Sequence, residues 1–503
     1  MKKFAASIVF LIALAAVTLG QDAVATLDKY IQSSMKDWRV PGLSIAVVKD
    51  GKVLLSKGYG VKTLGKEDPV DNKTLFGCMS TTKAFTAVGL GILVDEGKLG
   101  WDDKVTKWLP DFRLSDSYIT ADLRVRDLLT HNSGIGNTDL LWAWDQTITP
   151  AEIYRRMQLA KPEYPLRGGF IYQNVMYLLA GMVLERASGM TWERFITERI
   201  FRPLGMNDTY ATLALSRSYG NRSTPHFDVE GKIINIPETE ADPIAPAGAI
   251  WSNSDDIAKW VTYMLSNKTP NGTQIIKPAT YAELFKPQVI VPPTGFYPTI
   301  AVTKPHWMTY GLGWFQHDYR GEMIDFHTGS LDGRTAIIGL MPDKKVGVYI
   351  FGNLDHAELR HALMYKVFDL FAFNDDSRDW SADLRKLYGG IKDGQKKQED
   401  SFMATRKIGT QPSLPLGTYV GRYSDPFYGK VEVILADGKL KLLLPDKTFA
   451  VLDVWQFDAF EATWSKPWWG HSFAQFAISP LSPSVDSVTI DGALFKKEAE
   501  HGK

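Results

Sequence analysis

A polar stretch from Asn374 to about Ser413 separates two regions whose apolar residues recur with different periods. This break constrains the fold more than any other feature of the chain. Before it, several long segments follow helical spacing and alternate with β-rich runs. After it, short β-rich runs succeed one another with no helical segment between them. The stretch itself contains Lys392-Asp393-Gly394-Gln395-Lys396-Lys397, the composition of a linker. Two folding units are therefore expected in the 503 residues. They span residues 25–373 and 414–503, joined by a linker at 374–413.

The first unit mixes both periods. Leu27, Tyr30, Ile31 and Met35 recur at helical spacing. Leu43 to Val48 and Lys52 to Leu55 flank Asp50-Gly51, a hairpin signature. Ser80 to Glu96 reads as a helix with Phe85, Val88, Ile92 and Leu93 on one side and Gly97 as its stop. Ile171 to Ala187 and Asp255 to Leu265 read as further helices, the second capped from within Ser252 to Ser254. Thr335 to Leu340 and Lys345 to Phe351 read as strands joined at Pro342-Asp343, and His361 to Phe373 as a closing helix. This order predicts an α+β fold, an antiparallel sheet flanked by helices. In the second unit Thr418 to Tyr423, Val431 to Leu435 and Leu440 to Leu444 read as strands, the last two turned by Asp437-Gly438. The aromatic residues Trp455, Phe457, Phe460, Trp464, Phe473 and Phe476 continue the pattern as core of a small all-β barrel.

Lys2 and Lys3 precede an apolar run from Phe4 to about Leu19, followed by small residues. That is the layout of a secretory signal peptide over residues 1–22, so an exported protein, periplasmic or secreted, is expected. No later stretch is long and apolar enough to span a bilayer once the signal is removed. Lys+Arg and Asp+Glu both number 57, and this balance gives no footprint for nucleic acid. Cys78 is the sole cysteine, so an intrachain disulfide is impossible. It is expected to pack beneath the following helix rather than to react.

The segment Ser80-Thr81-Thr82-Lys83 is the candidate for chemistry; taken alone it also reads as a capping Ser followed by a solvated Lys. On a helix, positions i and i+3 share a face, so the Lys amine reaches the Ser oxygen. A Ser hydroxyl needs a neighbouring base at neutral pH, and a buried Lys can lose its proton and serve. Tyr172-Gln173-Asn174 opens the second apolar helix, where a phenol and an amide can relay a proton and orient Lys83. His327-Thr328-Gly329 precedes the late strands, with Ser330 next. Gly329 lets a substrate backbone approach, and the backbone N–H groups of Ser330 and Ser80 can hold an oxyanion. No metal-ligand pattern and no phosphate-binding loop stands out, so no cofactor or metal is expected. His131 reads as structural rather than catalytic.

These three motifs in this order resemble those of the serine β-lactamase and penicillin-binding protein superfamily. The flanks agree. Leu128-Leu129-Thr130-His131-Asn132-Ser133-Gly134-Ile135, Tyr177-Leu178-Leu179-Ala180-Gly181 and Pro203-Leu204-Gly205-Met206 fit it, as do Ala247-Gly248-Ala249-Ile250-Trp251-Ser252 and Tyr310-Gly311-Leu312-Gly313-Trp314. The resemblance covers roughly residues 25–370 and is closest to the class C-like branch. It implies a β-lactamase/transpeptidase-like fold with a helical subdomain and the site between. It implies Ser80 as acylated nucleophile, Lys83 as its base and Tyr172 as the proton carrier to the leaving group. Asn174 then holds Lys83 or the substrate, and His327 and Thr328 line the opposite wall. The implied activity is hydrolysis of small esters or D-residue-containing peptides and amides. A penicillin-binding sensor, or a DD-carboxypeptidase or β-lactamase that acylates but turns over slowly, is the alternative. One departure is that β-lactam-recognising members usually carry Lys where His327 stands. A His is mostly neutral at pH 7, which argues against strong β-lactam turnover. Arg334 is a possible carboxylate anchor or a surface residue. Tyr419-Val420-Gly421-Arg422-Tyr423 and Tyr428-Gly429 resemble an appended lipocalin-like domain. The expected partner is a small-molecule or peptide substrate, and oligomeric state is not encoded in these motifs.

Overall fold

The computed structural model describes residues 22–293 and 296–499. The expected export signal lies outside them but for its last residue, Asp22. Residues 22–38 are helical, and no described helix is long and apolar enough to cross a membrane.

The central sheet has eight strands, all antiparallel. In spatial order they are Lys52–Gly60, Gly42–Lys49, Val346–Gly352, Arg334–Met341, Glu322–Leu331, Phe315–Tyr319, Met308–Tyr310 and Val289–Ile290. The expected N-terminal hairpin is present, and its first strand pairs with the far end of the unit, Leu43 opposite Gly352. Strand Val346–Gly352 is buried throughout because the sheet is covered on both faces. Val346, Val348 and Ile350 join one core with helix 22–38 and the closing helix Leu359–Ala372. Tyr349 and Phe351 join the other, under the helical subdomain. The two-residue period sorts the side chains between the two cores.

Helix Thr82–Asp95 lies inside the second core. Its residues from Thr82 to Leu93 are buried on every side, which explains why its apolar pattern shows no clean polar face. Phe85 stacks on Trp260 of helix Ser254–Ser266 at 3.7 Å. Asn253 caps that helix, its side chain accepting from the Asp256 N–H at 3.0 Å.

The segment expected to link the units, 374–413, is largely helical. Trp380–Met403 forms a 24-residue helix, capped by Asp379, whose side chain accepts from Ala382 N–H. Trp380 and Leu384 are buried against the closing helix, while the C-terminal half is bathed in solvent. Its polar exposed turns hide the helical period that two buried residues create.

Eight strands between Gly421–Asp425 and Ala493–Lys497 then form a closed barrel in sequential order, sealed by Tyr423 opposite Lys497. Asp437 and Gly438 both take positive φ, the two-residue turn expected from that pair. The expected aromatic core is only partly inside. Phe460, Trp464 and Phe476 fill the barrel. Trp455 instead stacks on Phe402 of the connecting helix, Phe473 meets that ring edge-on, and Phe457 is exposed.

Candidate active site

The expected helix start at Ser80 is displaced by two residues. A short strand, Phe76–Gly77, leads through Cys78 into a 3₁₀ turn, Met79–Thr81, and the α-helix begins at Thr82. Met79 takes φ +46°, a left-handed value rare for a non-glycine residue. The chain thus bends sharply just before Ser80, which stands half-buried at the rim while Lys83 is wholly buried. Cys78 lies buried beneath this turn, as expected, and burial pushes its thiol up to about 12.

The Lys83 Nζ has three polar neighbours. Ser80 Oγ is at 3.1 Å, Asn174 Oδ1 at 2.7 Å and the Ala247 carbonyl oxygen at 3.0 Å. Two of these are pure acceptors and one is a hydroxyl. A neutral amine has two N–H donors and one lone pair. Donation to Asn174 and Ala247 leaves the lone pair facing the Ser80 O–H. Burial drives the amine down from 10.5 to about 7, opposed by the charge of Asp139. The Nζ also sits 4.8 Å from the centre of the Tyr172 ring and 5.1 Å from that of Tyr177.

Tyr172 precedes helix Asn174–Ser188 and is not part of it. Its hydroxyl is buried without a hydrogen-bond partner of normal geometry, although Ser80 is close enough to influence its acidity. Burial holds the phenol well above its usual 10, so it is a proton donor in waiting and not a phenolate. Asn174 faces two ways, its Oδ1 on Lys83 and its Nδ2 donating to Asp139 Oδ2 at 2.8 Å.

The opposite wall is strand Glu322–Leu331. Its pairing with Phe315–Tyr319 ends at Phe326, so from His327 onward that edge is free to meet the nucleophile turn. Gly329 makes the closest approach. A Cβ there would lie 2.4 Å from the Cys78 carbonyl oxygen and 3.0 Å from Ser80 N, so no larger residue fits. Ser330 lines a cavity of about 30 Å³ with Ser80 and Asn174. Thr328 hydrogen-bonds Tyr297 at 2.7 Å and lines, with Ser330, a larger cavity of about 820 Å³. His327 is buried and turned away from solvent. His131 Nδ1 accepts the Gln173 backbone N–H, so its Nε2–H donates to Tyr310 Oη at 3.2 Å. Tyr310 then donates to His327 Nε2 at 3.0 Å, and His327 Nδ1–H to the Thr328 carbonyl at 2.6 Å. Burial and the nearby Lys83 hold His327 down to about 3, so it is a neutral strut of this wall.

Arg334 is neither a surface residue nor a free anchor. It is buried, donates to Glu238 at 2.9 Å and stacks over Trp251. Arg360 was not anticipated. Its Nη1 donates to the Gly329 carbonyl at 2.5 Å and Ser330 Oγ at 2.8 Å, bracing the wall from behind. Asp139 and the Ala247 carbonyl were also missed as partners of the site. A carbonyl leaves no side-chain signal, and Asp139 belongs to none of the motifs.

Comparison with known proteins places these observations. The family described as Beta-lactamase matches residues 27–369, and Domain of unknown function (DUF3471) matches residues 405–501. An unguisins hydrolase, ungD', from Aspergillus campestris (strain IBT 28561) is 30% identical over 439 residues, covering 83% of this chain and 78% of that protein. The octameric penicillin-binding protein homologue from Pyrococcus abyssi superposes with a TM-score of 0.60 at 24% identity, over 94% of this chain and 100% of that one. The D-amino acid amidase from Ochrobactrum anthropi SV3 gives a TM-score of 0.57 at 24% identity, over 68% and 97%.

Proposed function

The chain belongs to the Beta-lactamase family of hydrolases, and on that premise we propose that it is an exported serine hydrolase working through an acyl-enzyme on Ser80. The observation that carries this reading is the Lys83 amine, buried, shifted to about 7 and 3.1 Å from Ser80 Oγ with its two donors already engaged.

Lys83 takes the Ser80 proton as Oγ attacks the substrate carbonyl. The developing oxyanion is held by the backbone N–H groups of Ser80 and Ser330, which the close approach of Gly329 brings together. Tyr172, an unpartnered phenol at the site, donates to the leaving group, and Lys83 reprotonates it. Water then attacks the acyl carbon while Lys83 accepts its proton. The bond from Ser80 Oγ to that carbon breaks, and Lys83 returns the proton to Oγ, releasing the acid and restoring Ser80.

The substrates we propose are small esters or amides and peptides containing a D-residue. One relative is named an unguisins hydrolase, which supports hydrolysis, and a solved structure of similar fold is titled a D-amino acid amidase, which supports the D-residue amides. The neutral His327 supports it too, since the wall offers no fixed cation there for a β-lactam carboxylate. The larger cavity beside Thr328 and Ser330, lined by aromatic residues such as Phe296 and Tyr297 and by charged ones such as Glu358 and Arg385, gives room for a substituent of mixed polarity.

A fluorophosphonate probe followed by peptide mass spectrometry tests the nucleophile, with Ser80→Ala as control. A panel of p-nitrophenyl esters, D-amino-acid amides and nitrocefin tests the substrate class. Label on another residue refutes the site. Rapid nitrocefin turnover refutes the use made of His327, and a burst without turnover favours a penicillin-binding sensor.

A further inference from the structure

We propose that Asp139 is a positioning residue for Lys83, acting through Asn174, and that the barrel holds Asp139 in place through Trp144. The proposal rests on Ser80 and Lys83 acting as described above.

Asp139 presents both carboxylate oxygens to the site. Oδ2 accepts from Asn174 Nδ2 at 2.8 Å, and Oδ1 accepts from Trp142 Nε1 at 3.0 Å. A side-chain amide can lie in either of two orientations. A carboxylate, which only accepts, stabilises the one with the Asn174 NH₂ toward it and the carbonyl toward Lys83. Asp139 therefore decides which face of Asn174 the amine meets.

The charge matters as well as the geometry. Around Lys83 stand Tyr172 and Tyr177, His131, His327 and Tyr310. Burial keeps the three phenols protonated and the two imidazoles uncharged. Asp139 is the carboxylate whose charge reaches the amine and favours its protonated form.

Asp139 precedes a single helical turn, Leu140–Ala143. A helix this short does not hold itself together. Its anchors lie on two sides. Leu141 is buried in the hydrolase core. Trp144, immediately after the turn, is buried in the core of the barrel and stacks on Phe495 at 6.1 Å, with Leu140 packed beside it. The barrel also reaches the other wall, where Trp468 Nε1 donates at 2.9 Å to Asp332, two residues past Ser330. The path from the barrel to the amine thus runs from Phe495 to Trp144, back along the backbone of the turn Leu140–Ala143 to Asp139, and through Asn174 to Lys83.

The test uses the full chain and the pH dependence of two rates, fluorophosphonate labelling of Ser80 and p-nitrophenyl ester cleavage. Wild type is compared with Asp139→Asn, Trp144→Ala and Trp144→Phe. Asp139→Asn removes the charge that favours protonated Lys83, so the midpoint of the rising limb moves to lower pH by about half a unit. The plateau rate falls about tenfold as the Asn174 orientation is lost. Trp144→Ala moves the midpoint the same way, and Trp144→Phe restores most of it. If Trp144→Ala does not fold, Phe495→Leu reads the same contact from the barrel side. An unchanged midpoint in Asp139→Asn overturns the role of Asp139. A slower Trp144→Ala (or Phe495→Leu) with the wild-type midpoint overturns the role of the barrel. Label on a residue other than Ser80 in the wild type overturns the catalytic reading instead, so the two failures are distinguishable.

Discussion

A lysine amine works as a base only in its neutral form. At its ordinary 10.5, about one amine in a thousand is neutral at pH 7.5, whereas at about 7 roughly three-quarters are. Ester cleavage is therefore expected to rise with pH through about 7, and the pH profile of kcat/KM checks it. The same shift has a cost in stability. The folded state holds Lys83 below its unfolded value, so between about 7 and 10.5 the unfolded chain binds more protons and stability rises with pH. Below about 7 the full penalty of burying the ammonium remains. Lys83→Met should then abolish turnover yet raise Tm at pH 6.5, by about 2 °C or more in calorimetry. A fall in Tm would show that the buried ammonium is better compensated than its surroundings suggest. Tyr172→Phe separates another role. It should slow amide cleavage by about 10²-fold or more and affect p-nitrophenyl esters far less, because that leaving group needs no proton. At this scale the meeting of Ser80 and Lys83 was legible because a three-residue spacing puts both on one face. That Tyr172 and Asn174, about 90 residues on, join them was implied by the resemblance of the three motifs to the family and not by any local spacing. Asp139 was not, since it joins the site from 35 residues before Asn174 through a turn with no periodic signal.

At the scale of elements, the site is a meeting of a strand edge and a helix entry, and its tolerance is set by one backbone contact. Gly329 lets the strand lie against the nucleophile turn, where a Cβ would stand 2.9 Å from the Met79 side chain and closer still to the Cys78 carbonyl. Backbone cannot move aside as a flexible side chain can. Gly329→Ala should push the strand outward and widen the gap between the Ser80 and Ser330 N–H groups. Activity is expected to fall by about 10²-fold or more, the loss that follows removal of an oxyanion donor. The fold should survive, since the strand keeps its ladder to Arg334–Met341. Circular dichroism alongside the rate decides between this and general unfolding. The long antiparallel strands and the apolar helices were legible because each keeps one period over several turns or pleats. The nucleophile helix start was misplaced by two residues because a 3₁₀ entry, like an α-helical one, brings residues i and i+3 to the same side. Arg360 was missed because a charged side chain reaching a carbonyl and a hydroxyl about 30 residues before it leaves no local pattern.

Across the whole molecule, the helix Trp380–Met403 belongs to both units. Its first turns are part of the hydrolase core. Trp380 stacks on Tyr365 at 4.6 Å and donates to Asp369 at 2.7 Å, both residues of the closing helix. Its last turn belongs to the barrel, where Phe402 stacks on Trp455 and meets Phe473 edge-on, and Arg406 beyond it donates to the Trp455 carbonyl at 2.9 Å. A segment whose composition reads as a tether is thus a rod with an apolar contact at each end. The reason is arithmetic of burial: two or three large side chains anchor a helix whose remaining surface is free to be polar. Trp380→Ala should therefore act on the hydrolase unit, leaving a cavity and an unpartnered Asp369 carboxylate oxygen. The expected loss is about 3 kcal/mol or more, the size of a large buried aromatic truncation. Phe402→Ala, at an exposed stack, should cost far less. Denaturant unfolding followed by ester hydrolysis for one unit and by near-ultraviolet signal for the whole chain distinguishes the two sites. If Trp380→Ala left the midpoint of activity loss where it is in the wild type, the helix would be a passive spacer after all, and the hydrolase core would end at the closing helix.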